Sequence, residues 1–201
     1  IGTYDLKITT PDGTVTLINL APVNFKSGQI VSVFAVGNGV IKPLGGYVLP
    51  KIALGYFLSL EIARLQVVHL APFDDPGTVD IKLNGVTALS GFESGDSTPY
   101  IELPADSYLV EVFSEGSGTE VISETVDLID GNDYTAIAIG DGFNQPLALK
   151  ALLDNNKAPA AGNFKLRLGH LAPFADTLAG TMADVRTDGG TVILDDVVFG
   201  D

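Results

Sequence analysis

A chain of 201 residues with 46% hydrophobic content has room for one large core or two of about 100 residues each, so disorder is excluded as its default state. Eleven Lys and Arg against 25 Asp and Glu give a net charge of −14, which repels phosphate backbones and anionic surfaces and excludes nucleic acid as an expected partner. The absence of Cys removes disulfides, thiolate nucleophiles and Cys-ligated metal centres.

The chain opens at Ile1 without a basic and then apolar leader, which reads as a processed or excised product whose signal peptide is already gone. Tyr4, Leu6 and Ile8 alternate with Asp5, Lys7 and Thr9, the pattern of a strand with one wet face. Ile30 to Val36 is a near-continuous apolar run of central-strand length, expected to be buried on both faces. The longest apolar run, Ile52 to Ala63, is 12 residues long, short of the ~20 a spanning helix needs, so no membrane insertion is expected. Within it, Ala53 to Ala63 is the one stretch where a helix is plausible, weakened by Gly55.

Beyond that run, Val79, Ile81 and Leu83 alternate with Asp80, Lys82 and Asn84, and Tyr134 to Ile139 forms a second buried-strand pattern. Turn signals recur at Pro11-Asp12-Gly13, Ser27-Gly28, Asn38-Gly39, Asn84-Gly85, Asp130-Gly131 and Asp141-Gly142. This density of turns predicts seven or eight short strands per copy of a repeat. The expected fold is all-β, two immunoglobulin-like antiparallel β-sandwich domains in tandem.

The repeat is visible by comparing the chain with itself. LQVVHLAPF at Leu65–Phe73 returns as LRLGHLAPF at Leu166–Phe174, an offset of 101 residues. Ala35–Leu49 returns at Ala138–Leu152 (offset 103), the strand from Tyr4 at Tyr108 (offset 104), and Val86–Asp96 at Thr191–Asp201 (offset 105). These offsets predict a complete sandwich at residues 65–153 and a linker at 154–164. A second sandwich is expected from two half-repeats, 1–60 plus 165–201, lacking one strand equivalent to Ser97–Pro104. The halves can close within one chain, pair head to tail between chains, or belong to a fragment of a longer array; closure within one chain leaves the least core exposed.

HLAPF, the Val79-Asp80-Ile81 strand, Asn84-Gly85, Thr98-Pro99-Tyr100 and the segment Leu103-Pro104-Ala105-Asp106-Ser107-Tyr108 together resemble a bacterial domain family of unknown function that occurs as tandem β-sandwich repeats. The resemblance covers most of residues 65–153 and both flanks by halves. It implies a protein that is secreted, periplasmic or on the cell surface of a bacterium, and it carries no catalytic residue over. Ala71 and Ala172 stand where the family has Ser in its His motif, and the apolar run at 52–63 replaces a polar linker such as Asp154–Gly162.

His69 and His170, each three residues before a proline, Pro72 and Pro173, are expected to fix a turn through a backbone carbonyl, a structural motif rather than a catalytic one. No nucleophile elbow accompanies them, so no enzyme is expected. Asp127, Asp130 and Asp133 with Asn132 form one Asp-rich loop, and Asp74, Asp75 and Asp80 a second beside His69, with Asp176 and Asp184 as their approximate partners. Ca²⁺ is the cofactor such oxygen-rich loops would hold, though none is required by the repeat. Gly37/Gly39 and Gly140/Gly142 lack the third glycine and helix of a nucleotide cradle and read as hairpin turns. Tyr47, Tyr56 and Tyr100 are the aromatic candidates for a glycan, weakened by the absence of Trp. The function expected is a non-enzymatic structural or adhesion module whose partners are other copies of itself or other surface proteins. The alternative is a carbohydrate- or calcium-dependent binding domain.

Overall fold

A computed structural model describes residues 1–37, 44–51, 55–58, 60–73, 77–115 and 117–201. Among them the regular structure is β almost throughout: β1 (Gly2–Thr9), β2 (Thr16–Phe25), β3 (Val31–Val36), β4 (Gly45–Pro50), β5 (Tyr56–Leu58), β6 (Ile62–His69), β7 (Val79–Leu83), β8 (Val86–Phe92), β9 (Ile101–Pro104), β10 (Ser107–Ser114), β11 (Glu120–Asp127), β12 (Asp133–Ile139), β13 (Ala148–Leu153), β14 (Ala183–Arg186) and β15 (Val192–Val197). One 3₁₀ turn, Ala179–Thr181, precedes β14. The expected all-β sandwich fold is the fold observed. No helix of the described residues is long and apolar enough to cross a membrane.

The strands form two four-stranded sheets, β11-β10-β7-β8 and β13-β12-β6-β9, a three-stranded sheet β3-β4-β5, and the two hairpins β1-β2 and β14-β15. The chain divides into two compact units. The first holds Ile1–Leu65, Ile101–Tyr108 and Val126–Asn132; the second holds Gln66–Tyr100, Leu109–Thr125 and Asp133–Asp201.

In the first unit Ile18, Leu20, Val23, Val48 and Leu58 make the core, with Leu6, Ile8 and Phe25 packed against it. Burial of this kind contributes about 1.5–3 kcal/mol per side chain. Gly46 lets β4 approach: a Cβ there would stand 2.8 Å from Leu20 Cδ1. Asn19 Nδ2 donates to Ala105 O at 2.6 Å and Glu61 N–H donates to Asn19 O at 3.0 Å, while the buried Asn19 Oδ1 accepts no hydrogen bond among the described residues. Asp106 accepts from Lys7 Nζ and Thr16 Oγ1, both at 2.5 Å. Burial pushes the Asp106 carboxyl up, but these donors and the Ser107 N–H outweigh it and hold the group below the usual carboxylate range.

Two expectations fail here. The helix at 53–63 does not form in its described part, where β5 pairs with β4 and β6 begins at Ile62. Gly55 lowers helix propensity and lies so close to Tyr47 that a Cβ would meet its hydroxyl at 2.4 Å, a contact that suits a strand-side turn. Ile30 to Val36 is not buried either: Ile30 is 61% exposed, and β3, which follows it, is an edge strand with Phe34 51% exposed. The apolar run anticipates a neighbour on its far edge, and none of the described strands supplies it.

In the second unit Val79, Ile81, Val110, Val112 and Ile122 are buried, as are Tyr134 to Ile139 on both faces of β12. The β7–β8 hairpin turns through Asn84 and Gly85, whose φ angles of 50° and 77° are those of a tight hairpin. Ladder registers recur along the chain. β12–β13 runs from Tyr134 opposite Leu153 to Ile139 opposite Ala148. β3–β4 runs from Val31 opposite Pro50 to Val36 opposite Gly45, every pair displaced by 103 residues. β7–β8 pairs Ile81 with Leu89 and Lys82 with Thr87, and β14–β15 pairs Val185 with Leu194 and Arg186 with Val192, with irregularities at the same two steps.

Candidate functional site

His69 closes β6. Its ring is fully buried, Nε2 donates to Gly77 O at 2.9 Å, and Nδ1 accepts the Ala71 N–H at 3.4 Å. A carbonyl can only accept, so the proton sits on Nε2 and the imidazole is neutral. Burial lowers the His69 pKa from its ordinary value, an effect that the Gly77 hydrogen bond and the Asp96 charge only partly oppose. The backbone is held as firmly: His69 N–H donates to Asp96 O at 3.0 Å, Gly95 N–H to His69 O at 2.7 Å, and Leu70 N–H to Ala138 O at 2.9 Å. Phe73 packs 5.9 Å from the ring.

His170 reproduces this arrangement. Nε2 meets Thr181 O at 2.6 Å, Ala172 N–H reaches Nδ1 at 3.4 Å, and Phe174 stacks at 5.4 Å. His170 N–H donates to Asp201 O at 2.9 Å and Gly200 N–H to His170 O at 2.8 Å. In both places the two ring nitrogens are committed to backbone across the turn that contains Pro72 or Pro173. A histidine so placed ties the two sides of the loop together through its ring.

The acids marked in the sequence are separately engaged. Asp80 Oδ1 accepts Gly91 N–H at 3.1 Å, Asp130 Oδ1 accepts Ile62 N–H at 2.8 Å, and Asp133 Oδ2 accepts Asn156 Nδ2 at 2.7 Å. Asp127 accepts from the Ser107 hydroxyl. Asp74 and Asp75 lie outside the described residues, as do Asn38 and Gly39. Asp184, Asp195 and Asp196 do converge, with one oxygen of each within 4.8 Å of the others, and among the described residues they are the group that could hold a hard cation. Asp184 is held below the usual carboxylate range, first by the Asp196 N–H and then by Arg186, while hydrogen bonding with Asp184 and the charges of Asp196 and Asp184 push Asp195 up. The sequence points to Asp184 alone; Asp195 and Asp196 join it only through the bulged register of β14 on β15, which no local pattern announces.

Tyr100, one of the aromatic candidates, is a strut. Its hydroxyl donates to Asp154 Oδ2 at 2.8 Å, and Thr135 Oγ1 donates to the same oxygen at 2.7 Å. Arg167 pairs with Asp154 Oδ1 and donates to Leu153 O at 2.8 Å. Asp154, Asn155, Asn156, Lys165, Leu166 and Arg167 line an open polar groove of about 540 Å³. Tyr47 is partly exposed, and the side chain of Tyr56 lies outside the described residues.

A family model described as a domain of unknown function, DUF4397, matches residues 63–179, more than half of the chain. The chain belongs to the DUF4397 family. No curated protein matches the sequence. The DUF4397 match opens inside β6 and extends to the 3₁₀ turn, so it takes in both His69 and His170 together with their prolines.

Proposed function

We propose that this DUF4397 chain is a non-enzymatic structural or adhesion module built from immunoglobulin-like sandwich repeats in tandem, exported to the periplasm, the cell surface or the medium of a bacterium. The observation that carries the reading is the paired histidine turn: both ring nitrogens of His69 bind backbone, and His170 binds the same positions 101–104 residues later. The residues most suggestive of chemistry are spent on holding the scaffold. Equal ladder registers in the β3–β4 and β12–β13 hairpins support the tandem reading.

Tyr108 supports the immunoglobulin-like reading. At the start of β10 its buried hydroxyl donates to Pro104 O, four residues upstream, at 2.9 Å, in the manner of a tyrosine corner. Burial, with the Asp106 charge, pushes its pKa up to about 12. The charge of −14 suits a surface module that must resist unspecific association. Antibody against the chain should detect it on intact cells of the source bacterium, in its medium or in the periplasmic fraction released by osmotic shock. Detection in the cytosolic fraction alone overturns the exported reading.

The convergence of Asp184, Asp195 and Asp196 favours one second reading, a calcium-dependent binding module. Titration calorimetry of chelator-treated protein with millimolar Ca²⁺ decides it: saturable heat that disappears in Asp195→Asn supports the reading, and no heat ends it.

A further inference from the structure

We propose that a second copy of this chain adds its segment 163–170 to the free edge of β3 as a parallel strand, linking copies head to tail. The inference rests on the repeat-module reading and specifies the partner. It starts from the strand β12, which stands at β3's position 103 residues later. β12 has β13 on one edge and β6 on the other. Arg64 N–H donates to Asn132 O and Leu70 N–H to Ala138 O, so both strands advance in the same direction and β6 lies parallel to β12.

β3 has β4 on the corresponding edge and no described strand on the other. The difference shows in burial. Ala136 and Ile137 are 1% and 8% exposed, whereas Val33 and Phe34 at the same positions are 36% and 51% exposed. The segment at the position of β6 shows the complementary deficit. Ala63 and Leu65 are 1% and 3% exposed, but Phe164 and Leu166, 101 residues later, are 82% and 64% exposed. Residues 163–170 belong to no strand of the structure. On the alternate positions, Lys165 Nζ bonds Asn155 Oδ1 at 2.9 Å and Arg167 pairs with Asp154, so the apolar set of Phe164, Leu166 and Leu168 is the one turned to solvent.

An apolar edge strand with no described strand against one side and an apolar sequence outside any ladder are the two halves of a strand-addition joint. The register follows from the complete copy: Leu171 N–H should meet Ala35 O, and Lys165 N–H should meet Gln29 O, of the neighbouring molecule. Because donor and acceptor are different surfaces of one chain, the contact is heterologous and propagates.

Light scattering after size exclusion, over a concentration series of the full 201-residue chain, tests this. The expected weight-average mass climbs with concentration from 21.0 kDa through integral multiples. Leu166→Asp changes a solvent-exposed side chain, so the single chain keeps its circular dichroism, and the mass should return to 21.0 kDa. Val33→Pro acts on the acceptor: Ala35 stands at the position of Ala138, which turns its carbonyl to β6, and two residues away Val33 directs its N–H to the same free edge. It should also abolish growth. A mass fixed at 21.0 kDa throughout overturns the proposal, as does growth that survives both substitutions in folded protein. Neither result bears on whether the chain is exported.

Discussion

Asp196 holds in β15 the backbone position that Gly91 holds in β8. Both have positive φ, 53° and 63°, and each donates its N–H to an aspartate Oδ1 of the adjoining strand, Asp184 at 3.0 Å and Asp80 at 3.1 Å. The bulge therefore needs a left-handed residue, which a glycine supplies without strain and an aspartate supplies at a cost.

Asp196→Gly should accordingly stabilise the protein by about 0.5–1 kcal/mol, because it removes that strain and one carboxylate from a like-charged group. The midpoint of urea unfolding reads this. A lower midpoint would mean that Asp196 contributes a favourable contact outweighing both effects.

His69→Ala should cost about 2–4 kcal/mol, since it empties a fully buried site and leaves the Gly77 carbonyl without its donor. His170→Ala, at a half-buried ring, should cost less than half as much. Chemical denaturation of the two variants beside the parent measures the ratio, and equal losses would contradict the burial argument.

The His69 pKa is lowered in the folded chain, so the unfolded chain binds the proton more readily. Stability from this group is fully present above the unfolded value of about 6.5 and declines as pH falls toward the folded value. Asp106 and Asp154 are lowered too, and their contributions are lost at more acid pH, below the ordinary carboxylate value of about 3.9. Denaturation midpoints should fall in two stages on acidification. His69→Ala should remove the first stage and Asp154→Asn should weaken the second.

Gly140→Ala should destabilise by about 2–4 kcal/mol. Its φ is 86°, and a Cβ would come within 2.1 Å of the Pro146 carbonyl oxygen, a backbone atom that cannot turn aside. Thermal unfolding would read the loss as a lowered Tm; an unchanged Tm would show that the 141–146 turn shifts freely.

Much of the fold was legible because it is written locally. Val79, Ile81 and Leu83 alternate with polar residues and form β7; Asn84-Gly85 carries the turn; Tyr134 to Ile139 is apolar but for Thr135 and is buried throughout. β3 has the same apolar run as β12 and the opposite exposure, because burial depends on which strand lies alongside and sequence reports only what a strand would tolerate. The stretch at 56–58 became β5 because β4 offered a ladder, and tertiary pairing outweighs weak helix propensity. The bonds of the histidines to backbone carbonyls could be read from their place before a proline, whereas the acid trio depends on strands β14 and β15 meeting across a bulge.

The parallel contact between β6 and β12 also governs how the chain can fold. Arg64 meets Asn132 and Leu70 meets Ala138, so each of these contacts closes a loop of nearly 70 residues, and no shorter pairing can substitute for it. Contacts so distant in sequence slow folding, because loop-closure entropy is lost before any burial offsets it. During synthesis β6 can pair with β9 once residues 101–104 are made, but its other edge must wait until β12 has emerged from the ribosome. The net charge of −14 sets chains against one another by repulsion while that edge waits.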